Sequence, residues 1–173
     1  MPEKATVQRA RRDKRAGKAP STQAGEFVRE EIHHIREGKH GARSTKQAVA
    51  IGLSKARRAG VQLPRPPASA KAGTRRSAAS ASRAARGARK RPSARRSRAA
   101  TRALAREGRS AASHRALSRQ ARSAAKRRPA AARSAAARRA ARTKGPQARR
   151  AAALKAARTR QKQGTTRRRR AAA

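Results

Sequence analysis

The sequence predicts a mostly disordered chain fronted by a small all-α N-terminal helical hairpin, with isolated helices in the remainder. Charge is the first observation behind this: 51 Lys and Arg stand against seven acids, a formal net charge of +44 in 173 residues. The second is a shortage of core formers. Of 61 apolar residues 47 are Ala, while Leu, Ile, Val and Phe together number 13, too few to build a sizeable core against so much like charge. The third is their placement, since ten of those 13 precede Pro64 and only Leu104, Leu117 and Leu154 follow it. Charge divides there too. Residues 1–63 carry 15 Lys and Arg and six acids, a net of +9, whereas residues 64–173 carry 36 and one, a net of +35. The junction LPRPPAS, with Pro64, Pro66 and Pro67, disfavours helix and favours extended backbone. The chain therefore divides into a helical head, residues 1–63, and a disordered Ala/Arg/Ser-rich basic tail, residues 64–173.

Three helices are predicted in the head. The first, about residues 3–16, holds good helix formers and ends at Gly17 and Pro20. In the second, residues 22–37, Ser21 or Thr22 caps the N-terminus and Gly38 takes the left-handed C′ position. Ala24, Val28, Ile32 and Ile35 form its apolar stripe, with Phe27 at the edge. Glu30 with His34, and His33 with Glu37, stand at i,i+4 pairing distance. Glu31 projects between Phe27 and the stripe, where an Arg from a neighbouring helix could neutralise it. The third helix, residues 45–59, opens on a capping box of Ser44 and Gln47 and closes on Gly60 at C′, with Val61 touching Ala56. Its face is small in the middle (Ala48, Gly52, Ala56) and branched at the flanks, which suits close helix approach. The expected helix-packing residues are Val28, Ile32, Ile35, Val49, Leu53 and Ala56. A hairpin of this size lies near the lower limit for folding alone, so association as a homodimer or with a partner is expected.

Ala48 followed by Gly52-Leu53-Ser54 echoes the turn of helix-turn-helix DNA readers. Arg58, however, occupies the position that such a turn fills with a buried aliphatic, so one continuous helix with Gly52 at a seam is the reading. His33, His34 and His40 cluster in sequence, but adjacent helical positions diverge by about 100°. They are read as surface histidines, and no metal site or cofactor is assigned.

The tail demands a polyanion. Its expected contacts are the Arg and Lys clusters Arg75, Arg76, Arg89, Lys90, Arg91, Arg95, Arg96, Arg98, Lys126, Arg127, Arg128, Arg138, Arg139, Arg149, Arg150, Arg167, Arg168, Arg169 and Arg170. Arg favours phosphate forks and minor-groove insertion, and the single aromatic, Phe27, argues against platforms that stack unpaired bases. Helices at Ala99–Arg106 and at Ala111–Arg128, the latter capped by Ser110, are the tail's two structural candidates.

Several classes fall away. No apolar run is long enough to span a membrane, and no Ser is placed with a His and a carboxylate for nucleophilic catalysis, so no enzyme is expected. The head segment GKHGARSTKQAVAIGLSKARRAG, residues 38–60, resembles a family of small basic bacterial proteins that share a domain of unassigned function. The resemblance spans about residues 3–63 and implies a bacterial, intracellular protein, with no catalytic or binding residues to carry over. The tail resembles, by composition, the C-terminal domains of linker histones and bacterial histone-H1-like proteins. The expected function is sequence-independent binding of double-stranded DNA in the cytoplasm, at the nucleoid. The alternatives are an RNA- or ribosome-associated basic protein, or an adaptor docking a partner through its head.

Overall fold

A computed structural model of the chain describes residues 2–87 and 93–171. Its described residues form α1 (Lys4–Arg15), α2 (Pro20–Arg36), α3 (Thr45–Arg58), α4 (Ala72–Arg83), α5 (Ala94–Ala105), a 3-10 turn (Ser110–Ala112), α6 (His114–Lys126) and α7 (Ala130–Ala171). Two compact units result, residues 1–121 and 122–173. The mostly disordered chain expected from composition is thus corrected to one that is 74% helical. Two physical reasons account for the difference. Ala and Arg are intrinsically strong helix formers, and Ala side chains after Pro64 bury against the head where Leu and Ile were expected to be required.

In the first unit α2 is the central element, packing against α1 on one side and α3 on the other. One cluster joins Ala10 of α1, Ala24 and Phe27 of α2 and Ala56 of α3, flanked by Val7, Leu53, Val61 and Leu63. A second joins Ile32 and Ile35 of α2, Ala42, and Ala48 of α3 to Ala111 and Ala112, with Val28 and Leu117 against it. Phe27 and Ile35 are fully buried, each contributing about 1.5–3 kcal/mol of transfer free energy. Of the expected packing residues, Ile32, Ile35 and Ala56 are buried, and Val28, Val49 and Leu53 are half-buried. The α2–α3 contact is close at Gly52, where an added Cβ would lie 2.7 Å from Val28 Cα. Helix α3 runs unbroken across Gly52.

Each of the first three helices ends in a Schellman turn. Gly17, Gly38 and Gly60 take φ of 68°, 80° and 91°, and the following amides donate back to the carbonyls of Asp13, His34 and Ala56. The caps at the other ends differ from expectation in two places. Helix α2 starts at Pro20, with Ala19 at the N-cap and no side-chain cap from Ser21 or Thr22, because Pro supplies a preset φ at N1. At α3 the Ser44 hydroxyl accepts from the Gln47 amide, but the Gln47 side chain accepts from the Arg43 amide, one residue before Ser44.

The segment after α5 lies on the head. Gly41 and Ala42 amides donate to the carbonyls of Leu104 and Gly108 at 2.9 and 3.1 Å. Thr45 Oγ1 donates to the Ala111 carbonyl at 2.7 Å, and Arg36 Nε to that of Ala112 at 2.9 Å. Ala111 and Ala112 are buried. The apolar face expected to await a partner is therefore covered from within the chain. Gly41 permits this approach, since a Cβ there would collide with the Glu107 carbonyl. Helix α6 begins after Ser113, whose hydroxyl accepts from the Ala116 amide, so the expected helix from Ala111 splits into a 3-10 turn and α6.

The second unit holds α7, in which Gly145 adopts φ 68° and ψ 168° before Pro146. Pro disfavours helical geometry in the residue before it, so the element consists of two helical segments joined at a kink.

Two outcomes test these contacts. Gly52→Ala gains roughly 1 kcal/mol of helix propensity, yet should lower urea-unfolding stability by about 1–3 kcal/mol because the Val28 backbone cannot yield. Gly41→Ala should leave α2 and α3 intact while releasing residues 104–112, read as faster amide exchange at Ala42 and Ala112.

Candidate nucleic-acid interface

The carboxylates pair with cations of the head. Glu26 meets Arg9 at 2.7 Å and Arg29 at 3.3 Å, Asp13 meets Lys18 at 2.7 Å, and Glu37 meets Lys39 at 3.0 Å. Glu30 and Glu31, both buried, share Lys55 at 3.2 and 2.7 Å. Glu31 is thus neutralised by a Lys of α3, where an Arg was expected. Glu3 meets His34 at 2.9 Å, and Glu107 meets Arg43 at 3.5 Å. The hydrogen bond from His34, with Lys39 nearby, holds the Glu3 carboxyl below its ordinary range. The i,i+4 pairs expected for His34 and His33 are replaced by these contacts, because α1 brings Glu3 to His34 and α3 brings Lys55 to Glu30.

With the carboxylates so engaged, cationic surface is left uncompensated. Its most defined feature is a cleft of about 730 Å³ between the end of α3, the proline segment and α4. Arg57, Arg65, Arg75, Arg83 and Arg86 line it, no carboxylate does, and Val61 and Leu63 supply apolar wall. Three local rules position these side chains. The Schellman end of α3 turns the chain at Gly60. The prolines then keep residues 64–67 extended. Helix α4 packs back on α3 through Ala81, which is buried. Arg75, Ala79, Ser82 and Arg86 recur at four, three and four residues along the cleft side.

Arg57 is the half-buried arginine of this lining. Its Nη2 donates to the Pro64 carbonyl at 2.8 Å, while Nη1 is buried without a hydrogen-bond partner. Burial pushes its guanidinium below the ordinary arginine value. Since guanidinium stays protonated, an unneutralised charge stands behind a low-dielectric wall, where its field on an entering anion is strengthened.

Beyond the cleft, Arg95, Arg96 and Arg98 are exposed on α5, and Lys126, Arg127 and Arg128 are exposed at and after the end of α6. On α7, Arg138, Arg139, Arg149 and Arg150 are exposed, and Arg138, Arg142 and Arg149 border a concavity at the Gly145 kink. Arg76 is exposed and does not line the cleft, whereas Arg75 does. Arg89, Lys90 and Arg91 lie outside the described residues, as do the side chains of Arg167, Arg168, Arg169 and Arg170. Sequence reasoning missed Arg57, Arg65, Arg83 and Arg86, which are not in basic clusters after Pro64. It also missed Arg115, Arg119 and Arg122 on α6, which with the expected Lys126 form a stripe whose spacing of four, three and four residues was a readable signal. Of the histidines, His33 is exposed, and His34 and His40 are half-buried.

Among known proteins, residues 11–66 match the model of a family of unknown function (DUF6496). No curated protein and no solved structure matches the chain. The matched region ends within the proline segment, so it holds α2, α3 and the Arg57 and Arg65 side of the cleft. No helix among the described residues is long and apolar enough to cross a membrane.

Replacing Arg75, Arg83 and Arg86 together by Gln should leave helix content unchanged by circular dichroism. If each of the three meets a phosphate, the log–log salt slope of duplex binding should shrink by about 0.9 for every phosphate no longer neutralised, roughly two to three in all.

Proposed function

We propose that this protein is a non-enzymatic, sequence-independent binder of double-stranded DNA, acting at the nucleoid in the manner of histone-H1-like proteins. The observation that carries the reading is the separation of charge: the carboxylates pair with cations of the head, and the described arginines of the later helices, with Arg65, Arg75, Arg83 and Arg86 of the cleft, are exposed and form no ion pair among the described residues. Duplex DNA presents one phosphate per ~1.7 Å of axis, and the α6 stripe from Arg115 to Lys126 runs about 16 Å. It can thus lie beside about ten phosphates. Helical blocks hold their arginines in fixed rows, so less side-chain and backbone freedom is lost on binding than for a coil. The lack of aromatics beyond Phe27 favours duplex over unpaired strands.

Affinity of the full chain for unrelated duplexes, measured from low to moderate salt, should vary little with sequence. If about a third of the tail's cations meet phosphates, it should fall with a log–log slope near −10. A salt-independent affinity, or RNA hairpins bound far more tightly than duplexes at equal salt, would contradict the reading.

A further inference from the structure

Among the described residues, metal-ligating side chains converge at one place, where the last turns of α2 and the α2–α3 loop meet. Glu31 and His34 stand three residues apart on α2, hence on one face. His40 follows the Gly38 turn. The carboxylate oxygen of Glu31 and the ring nitrogens of both histidines lie within 4.8 Å of one another. His40 Nε2 is 3.3 Å from Glu31 Oε1, and Glu3 Oε1 is 2.9 Å from His34 Nε2. A tetrahedral zinc with bonds of about 2.0–2.1 Å separates its ligand atoms by roughly 3.3 Å, which the Glu31–His40 pair already matches.

Two further observations point to a cation. His40 Nδ1 lies 3.1 Å from the Gly41 carbonyl, which accepts only from an N–H. In the neutral ring this leaves the Nε2 lone pair facing the Glu31 carboxylate, an arrangement that a shared cation satisfies. A backbone carbonyl receiving the second ring N–H is also the usual orientation of a metal-bound histidine. The other observation is Glu31 itself, 1% exposed. Its Oε2 is 2.7 Å from Lys55 Nζ, but not at an angle that makes a hydrogen bond. Lys55 also holds Glu30 at 3.2 Å, so it can release Glu31 without becoming an unpaired buried charge.

The geometry points to a binding site for a zinc-like divalent cation, held by Glu31, His34 and His40. Two imidazoles with a carboxylate form a donor set suited to such an ion. The site tethers the last turns of α2 to the α2–α3 loop. It also fixes the loop whose Gly41 and Ala42 amides hold residues 104 and 108. Occupancy therefore favours seating of the segment that follows α5.

The test uses untagged, chelator-stripped full-length protein titrated with Zn²⁺ against a chromophoric competitor, with Co²⁺ absorption as a geometric readout. One ion per chain is expected, together with slowed amide exchange at Gly41 and Ala42. His40→Ala, a loop substitution outside the buried clusters, and His34→Gln should each weaken binding about tenfold or more. His33→Ala and the exposed His114→Ala should not change it. Absence of saturable one-to-one uptake overturns the site. So does equal affinity in His40→Ala, or a comparable weakening in His33→Ala.

Discussion

Close backbone approach between α2 and α3 is the constraint on which the rest of the first unit depends. The chain has few large aliphatics to fill the space between helices, so it removes the space. Ala48 and Ala56 are fully buried, and Gly52 brings α3 against the Val28 backbone. Small residues at a seam gain stability through many short dispersion contacts rather than through large buried area. Proximity has an electrostatic result as well. Only at this separation can Lys55 of α3 reach both Glu30 and Glu31 of α2. An ion triad so buried would cost several kcal/mol if one partner were removed, and it ties helix register to charge pairing.

Charge economy follows from that arrangement. Folding places the few carboxylates where they neutralise the head's own cations, some of them buried, and leaves later arginines to solvent. The same fold that solves the problem of burying Glu31 thus sharpens the positive field outside. Arg57 shows the boundary between the two regimes: one guanidinium nitrogen anchors the Pro64 carbonyl, and the other is buried without a partner. Such a group is costly to the isolated protein, and costly unsatisfied groups concentrate where a ligand can compensate them.

Much of the head was legible because its signals are local. Gly38 and Gly60 announce left-handed C′ positions, Ser44 announces a cap, and Ala48, Gly52 and Ala56 announce a seam; each depends on residues within a few positions. The acid at Glu31 was legible as a problem but not as its solution, because Lys55 lies 24 positions on and its approach depends on helix packing. The docked segment was illegible for a similar reason. Ala111 and Ala112 look like any other Ala pair in a low-complexity run, and what distinguishes them is the Thr45 hydroxyl and the Arg36 guanidinium that bond their carbonyls. Counting Leu, Ile, Val and Phe as the only core formers undervalued Ala against surfaces already fitted to small side chains. The cleft arginines escaped notice because density of charge in sequence is a poor guide to convergence in space.

Under the proposed function, helical order in the basic region changes how phosphate would be neutralised. A disordered polycation adapts to any path of the backbone but loses conformational freedom when it does so. Preformed helices avoid that loss and instead restrict which phosphates each row of arginines can meet. Breaks between rows then matter. Gly145 before Pro146 in α7 divides one arginine-rich helix into two segments. Among the described residues of the basic region, Gly108 follows α5, Pro129 separates α6 from α7, and Gly145 with Pro146 breaks α7.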